Sequence, residues 1–382
     1  MANRKHAGRL LSASVMLGVI VIVLSGCLSL LYEEIMSYSV EVPEETIRQL
    51  EDLQSSDWPE ARCDAFEVWD RYGAGCSPPE VCSSTEECAE LGDRLADLIY
   101  EQFGDLLYFD FEREFDEYDE YDETDLVYYK INDDRLSEPE YWYIDEKMTP
   151  YRDNLDEHIR MWNILRYIIP EHVRPELIGF TVFTDGVDNT LAHVTPDETD
   201  LTKWWLGVDI LDVDPIETLV TTYLHEYAHI VTLGSNQLHM DADILFADED
   251  DPIHDSKAQQ CPRLFVEGMG CVYEHSYLYE FYKRFWLDIE DEWRERNVAN
   301  DEDELSAFFA DYEDQFVTEY AATYPEEDIA ESWAYFILYP QIEAYDIWEQ
   351  KIMFFYEYPE HVKLRAEILS RILSYFTLYH AK

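Results

Sequence analysis

Apolar positions along the chain change spacing part-way, and the change divides it into two kinds of structure. In the first half they come in short bursts. Leu126–Asn132, Glu140–Ile144, Leu177–Thr184, Thr190–Val194 and Trp204–Ile210 are rich in β-branched and aromatic residues, with Asp-Gly and Pro-Asp pairs between them. This is the pattern of strands and turns. Helical spacing appears at Glu44–Leu53, at Thr85–Phe103 and at Tyr151–Ile169, where Leu155, Ile159, Trp162, Leu165 and Ile169 form one face before Pro170. Beyond residue 262 the period is helical, and roughly 263–286, 302–317, 325–338, 342–356 and 359–379 are predicted helices. The expected class is α+β, with a mixed sheet lobe followed by a largely α-helical C-terminal lobe.

Between the halves lies Thr218–Gly234. Leu219, Val220, Tyr223, Leu224, Tyr227, Ile230 and Val231 cover nearly its whole surface, so it reads as a buried helix. Asp214 is the expected N-cap, Pro215 the first helical residue, and Gly234 the stop. Inside it stands His225-Glu226-Tyr227-Ala228-His229, a match to H-E-x-x-H. Residues four apart share a helix face, so the two imidazoles can hold one Zn²⁺ together. Glu226 sits beside such a metal, where a general base can take a proton from a zinc-bound water. Imidazoles and a carboxylate in a buried helix are costly unless they are paired or metal-bound.

A catalytic zinc needs a third protein ligand and an open position. Two stretches compete for the role. Glu267, in Phe265-Val266-Glu267-Gly268, is one source. The other is Tyr320 to Ser332, where Thr323 and Pro325 mark a helix start and Glu327 and Glu331 lie one turn apart. Of the latter pair, one carboxylate can bind zinc while the other receives the Nδ1–H of a ligand histidine.

With H-E-x-x-H followed by Glu327-Asp328-Ile329-Ala330-Glu331-Ser332, the chain resembles the gluzincins. Its pattern is similar to the catalytic domain of anthrax lethal factor and to bacterial lipoproteins that pair H-E-x-x-H with E-D-x-A-E-S. The resemblance spans about 130 residues and implies a zincin-like fold whose sheet edge lines the cleft. It implies His225, His229 and Glu327 as zinc ligands, Glu331 as the partner of a ligand histidine, and Tyr320 as donor to the oxyanion. The gap from His229 to Glu327 is long for a gluzincin and requires an insertion.

The N-terminus adds a location. Arg4, Lys5 and Arg9 precede the apolar run Leu10–Leu24, as in a secretory signal. Leu24-Ser25-Gly26-Cys27 resembles the lipobox of bacterial lipoproteins, which implies cleavage after residue 26 and lipid on Cys27. The expected divisions are a signal peptide at 1–26, a tether at 27–59, a small cysteine-containing module with an acidic linker at 60–124, and the peptidase domain at 125–382. Six further cysteines fit an exported chain with disulfides. Cys261 and Cys271 form the expected isolated pair, while pairing among Cys63, Cys76, Cys82 and Cys88 is not readable.

The charge of −57, from 84 acidic and 27 basic residues, excludes nucleic acid as a natural partner. The resulting expectation is a lipid-anchored, extracytoplasmic zinc peptidase, monomeric, acting on peptide or protein substrates. The reading of another class is a catalytically silent surface scaffold with a structural or vestigial metal.

Overall fold

The computed structural model of the chain describes residues 39–55, 68–69, 76–77, 82–107, 124–186, 190–245, 247 and 251–379. The expected signal peptide, Cys27, Cys63 and most of the acidic run Asp110–Asp125 lie outside the described residues. Among the described residues, no helix is long and apolar enough to cross a membrane.

Strands β1 (Ser39–Val40), β2 (Thr124–Asn132), β3 (Arg135–Trp142), β4 (Leu177–Thr184), β5 (Ala192–Pro196) and β6 (Trp204–Asp209) form one sheet, in the order β1-β3-β2-β4-β6-β5. The β4–β6 pair is parallel and all other neighbours are antiparallel, so the sheet is mixed. β2 and β3 make a hairpin through Asp133-Asp134, both left-handed at φ 50° and 58°, as a two-residue type I′ turn requires. The strand expected at Glu140–Ile144 therefore starts earlier, at Arg135. Pro139 is tolerated because Glu138 (φ 46°) and a register shift place it at a bulge. Of the last two strands, β5 is the outer one and β6 is interior.

Helices α1 (Glu44–Ser55), α2 (Thr85–Phe103) and α3 (Leu155–Ile168) precede the H-E-x-x-H helix, α4 (Ile216–Leu233). α3 lies against the sheet, with the Trp162 and Phe180 rings 5.7 Å apart and neither exposed. Burial of side chains of this kind contributes roughly 1.5–3 kcal/mol each. The start of α4 differs from expectation. Pro215 is itself the cap residue, after a cis Asp214–Pro215 bond, and no side chain caps the helix. Asp214 instead turns toward Arg160, 3.3 Å away. Gly234 does end α4, through close approach rather than a left-handed turn: a Cβ there would lie 2.7 Å from the Ile230 carbonyl oxygen.

After α4 come β7 (Leu238–Met240), β8 (Phe265–Val266) and β9 (Gly270–Val272), in the order β8-β9-β7. The helix expected over 263–286 is thus a hairpin in its first half. Gly268 and Gly270 have φ of +70° and +147°, and a Cβ on Gly270 would meet the His239 carbonyl oxygen at 2.2 Å. Helix α5 begins only at Tyr277 and ends at Phe285, with Ser276 accepting from the Tyr279 N–H as its cap. The C-terminal lobe is then helical: α6 (Glu302–Asp311), α7 (Pro325–Leu338), α8 (Ile347–Phe354) and α9 (Pro359–Tyr379).

Cys261–Cys271 and Cys82–Cys88 are disulfides, pointing to an oxidising, extracytoplasmic compartment. Of Cys76, only its place in the two-residue strand Cys76–Ser77 is described. α2 packs along α9, where buried Arg365 donates to Asp93 Oδ1 at 2.9 Å and to the Phe336 carbonyl at 2.6 Å. The N-terminal helix thus shares its core with the C-terminal lobe.

Candidate metal centre

α4 is buried on nearly every side, as its apolar pattern implies. Buried tyrosine hydroxyls fix its position. Tyr223 donates to the Met161 carbonyl at 3.0 Å, and Tyr227 donates to the Val173 carbonyl at 2.8 Å. α7 packs alongside. Small buried residues on both helices, Ala228 and Ala330, leave room for close contact, and the Tyr227 and Trp333 rings meet at 5.6 Å. The start of α7 falls where Pro325 predicts it, and this turn carries Glu327 to the histidine face.

The structure brings His225, His229 and Glu327 together as a group able to hold a metal ion. His225 Nε2 and His229 Nε2 are 3.0 Å apart, and Glu327 Oε2 is 3.1 Å from the first and 3.3 Å from the second. A tetrahedral ion with bonds of 2.0–2.1 Å spaces its ligands by about 3.3 Å. The donor set, two imidazole nitrogens and one carboxylate oxygen, therefore fits a zinc-type ion in both chemistry and span. Without a cation, two imidazole nitrogens and one carboxylate oxygen face one another with little to satisfy them all.

The ring orientation of His225 is set from behind. Its Nδ1 lies 2.7 Å from Glu331 Oε1, and Thr318 Oγ1 donates to Glu331 Oε2 at 2.9 Å. His229 lacks such support, because its buried Nδ1 has no hydrogen-bond partner among the described residues. The electrostatics follow from the pairing. Burial alone lowers the pKa of His225, but hydrogen bonds to Glu327 and Glu331 outweigh it and hold the pKa well above the usual histidine range. Burial alone raises the pKa of Glu327, but His229 and His225 overcome it and hold the carboxyl far below its usual range.

Glu226 is 7 % exposed, and its carboxylate has no hydrogen-bond partner among the described residues. Burial pushes its pKa up, opposed by His225 and His229. Tyr320 forms a single 3₁₀ turn with Ala321 and Ala322 before α7. Its side chain is half exposed, its ring lies 5.8 Å from that of His225, and its hydroxyl reaches Glu327. Burial of that hydroxyl, with Glu327 and Glu226 nearby, pushes its pKa well up.

Glu267 lies in the exposed β8–β9 turn and is not in the metal-capable group. His239, on β7, and His193, packed 4.8 Å from the Phe183 ring, are outside it too. Two site residues carried no sequence signal. Thr318 belongs to a loop and acts only through Glu331. Glu326 lies close enough to His229 and Glu327 to feel both charges, and burial first, then Glu327, pushes its carboxyl up to about 7.

No family model, curated protein or solved structure matches this chain.

Proposed function

We propose that the chain is a zinc-dependent peptidase, held outside the cytoplasm by lipid on Cys27. The observation that carries this reading is the convergence of His225, His229 and Glu327, with Glu226 beside them and free of partners. The gluzincin-like order of the motifs supports it. When bound at these residues, Zn²⁺ supplies a Lewis acid that acidifies water and polarises a carbonyl.

The chain's own groups do the rest. Glu226 takes a proton from the attacking water and later gives it to the leaving amine. Its burial favours the proton-accepting role, because a carboxylate with raised pKa holds the proton well enough to deliver it. The Tyr320 hydroxyl donates to the carbonyl oxygen as negative charge develops there. Glu331, braced by Thr318, keeps the His225 ring in one orientation. The outer strand β5 lies against α4 and offers a backbone edge to an extended peptide.

The test is Glu226→Gln, assayed on a peptide library with metal content measured in parallel. It should keep zinc and lose about 10²–10⁴-fold in cleavage rate. Undiminished cleavage by this variant would sink the mechanism.

A further inference from the structure

A second group of titratable side chains lies where the sheet leads into α4. β4 and β6 run parallel, so their carboxyl ends lie side by side. Asp185 is the first residue after β4, Asp209 is the last of β6, and Asp212 follows in the connection to α4. The three are 3 %, 0 % and 4 % exposed. One carboxylate oxygen from each lies within 4.8 Å of the other two. Neither Asp185 nor Asp209 forms a salt bridge with a basic side chain among the described residues. Buried carboxylates without a counter-charge are among the costliest arrangements a fold can hold.

Backbone N–H groups orient Asp185 and Asp209 but do not neutralise them. Asp209 accepts from Leu211 N at 2.6 Å and from Asp185 N at 2.8 Å. Asp185 Oδ2 accepts from Thr190 N at 2.9 Å. Asp185 Oδ1 is buried and has no hydrogen-bond partner among the described residues. A buried carboxylate oxygen left without a donor calls for a ligand or an ion. Burial, and then the charges of Asp212 and Asp185, push the Asp209 carboxyl up to about 7 despite its two backbone donors.

We infer that Asp185, Asp209 and Asp212 form a second cation site, selective for Ca²⁺, that ties the end of β4 to the segment leading into α4. An all-oxygen donor set selects a hard cation and not a zinc-type ion. Three carboxylates, all buried and all supplied by the protein, make the kind of all-oxygen cage that Ca²⁺ takes. Mg²⁺ demands near-ideal octahedral geometry, keeps several waters and is held by one or two carboxylates instead. The junction already has a backbone bond from Ile210 N to the Phe183 carbonyl at 3.0 Å. The ion offsets most of the carboxylates' charge and adds a clamp a few residues before α4 begins, and the site does not depend on the peptidase reading.

The test uses the full chain, made metal-free by a chelator and dialysis, then given CaCl₂ or MgCl₂ at about 1 mM, the range of extracellular calcium sites. Ca²⁺ should raise Tm by about 2–4 °C and Mg²⁺ by clearly less. Asp185→Asn keeps the acceptor for Thr190 N and removes one charge. It should abolish the calcium shift while melting, metal-free, at or above the wild-type temperature. The double change His225→Ala with His229→Ala should retain the calcium shift. A wild type indifferent to Ca²⁺, a shift that survives Asp185→Asn, or an equal shift with Mg²⁺ would each overturn the assignment.

Discussion

The two faces of α7 carry buried carboxylates on successive residues, and the fold treats them differently. Asp328 faces α5 and α8. Neither it nor Lys351 is exposed, their charged atoms are 2.5 Å apart, and Trp286 Nε1 donates to the same carboxylate at 2.7 Å. That pair is complete within the protein. Glu327 faces α4, where its partners are two imidazoles whose nitrogens also face each other. The difference separates a structural ion pair from a centre whose donors converge on a common point. Burial of charge alone does not mark a metal site, whereas convergence of ligand-type atoms does.

Breaking the complete pair should have the largest effect on stability. Lys351→Met leaves Asp328 buried without its counter-charge, and should cost about 3–5 kcal/mol, read from urea denaturation. A loss below about 1 kcal/mol would show that Asp328 is not compensated as described.

The contrast extends to the histidines. His225 is held above the usual pKa range by carboxylates, whereas His158 lies fully buried between the Tyr129 hydroxyl and the Tyr151 carbonyl. Burial lowers its pKa to about 4 from 6.5. The folded state therefore binds fewer protons than the unfolded state between those values. His158 contributes stability that is full above pH ~6.5 and is lost as pH falls toward ~4. Denaturation at stepped pH should show roughly 2–3 kcal/mol more acid loss in wild type than in His158→Gln. Equal acid slopes would mean that His158 titrates normally.

Glu331→Gln should act on the open face alone. It weakens the hold on His225 Nδ1 and should lower zinc affinity about 10–100-fold, with little change in unfolding free energy. Unchanged affinity would make Glu331 a bystander.

Much of this was legible in the sequence because it is local. The H-E-x-x-H helix needs only seventeen residues to declare its burial and its ligand spacing. β4 is a continuous apolar run and appears with its expected bounds. Glu327 and Glu331 show their shared face in sequence, but not that this face meets α4, which depends on packing about a hundred residues away. The region 263–276 misled because its apolar residues fit either period, and Gly268 and Gly270 decided for a hairpin. Thr318, Lys351 and the three aspartates carry no spacing signal, because each meets its partners only in the folded chain.

Zinc content after exhaustive dialysis tests the joining of α4 and α7 most directly. Wild type and Glu267→Ala should each retain one zinc ion per chain, and Glu327→Ala should retain none. Zinc kept by Glu327→Ala, or lost by Glu267→Ala, would contradict the assignment of the third ligand.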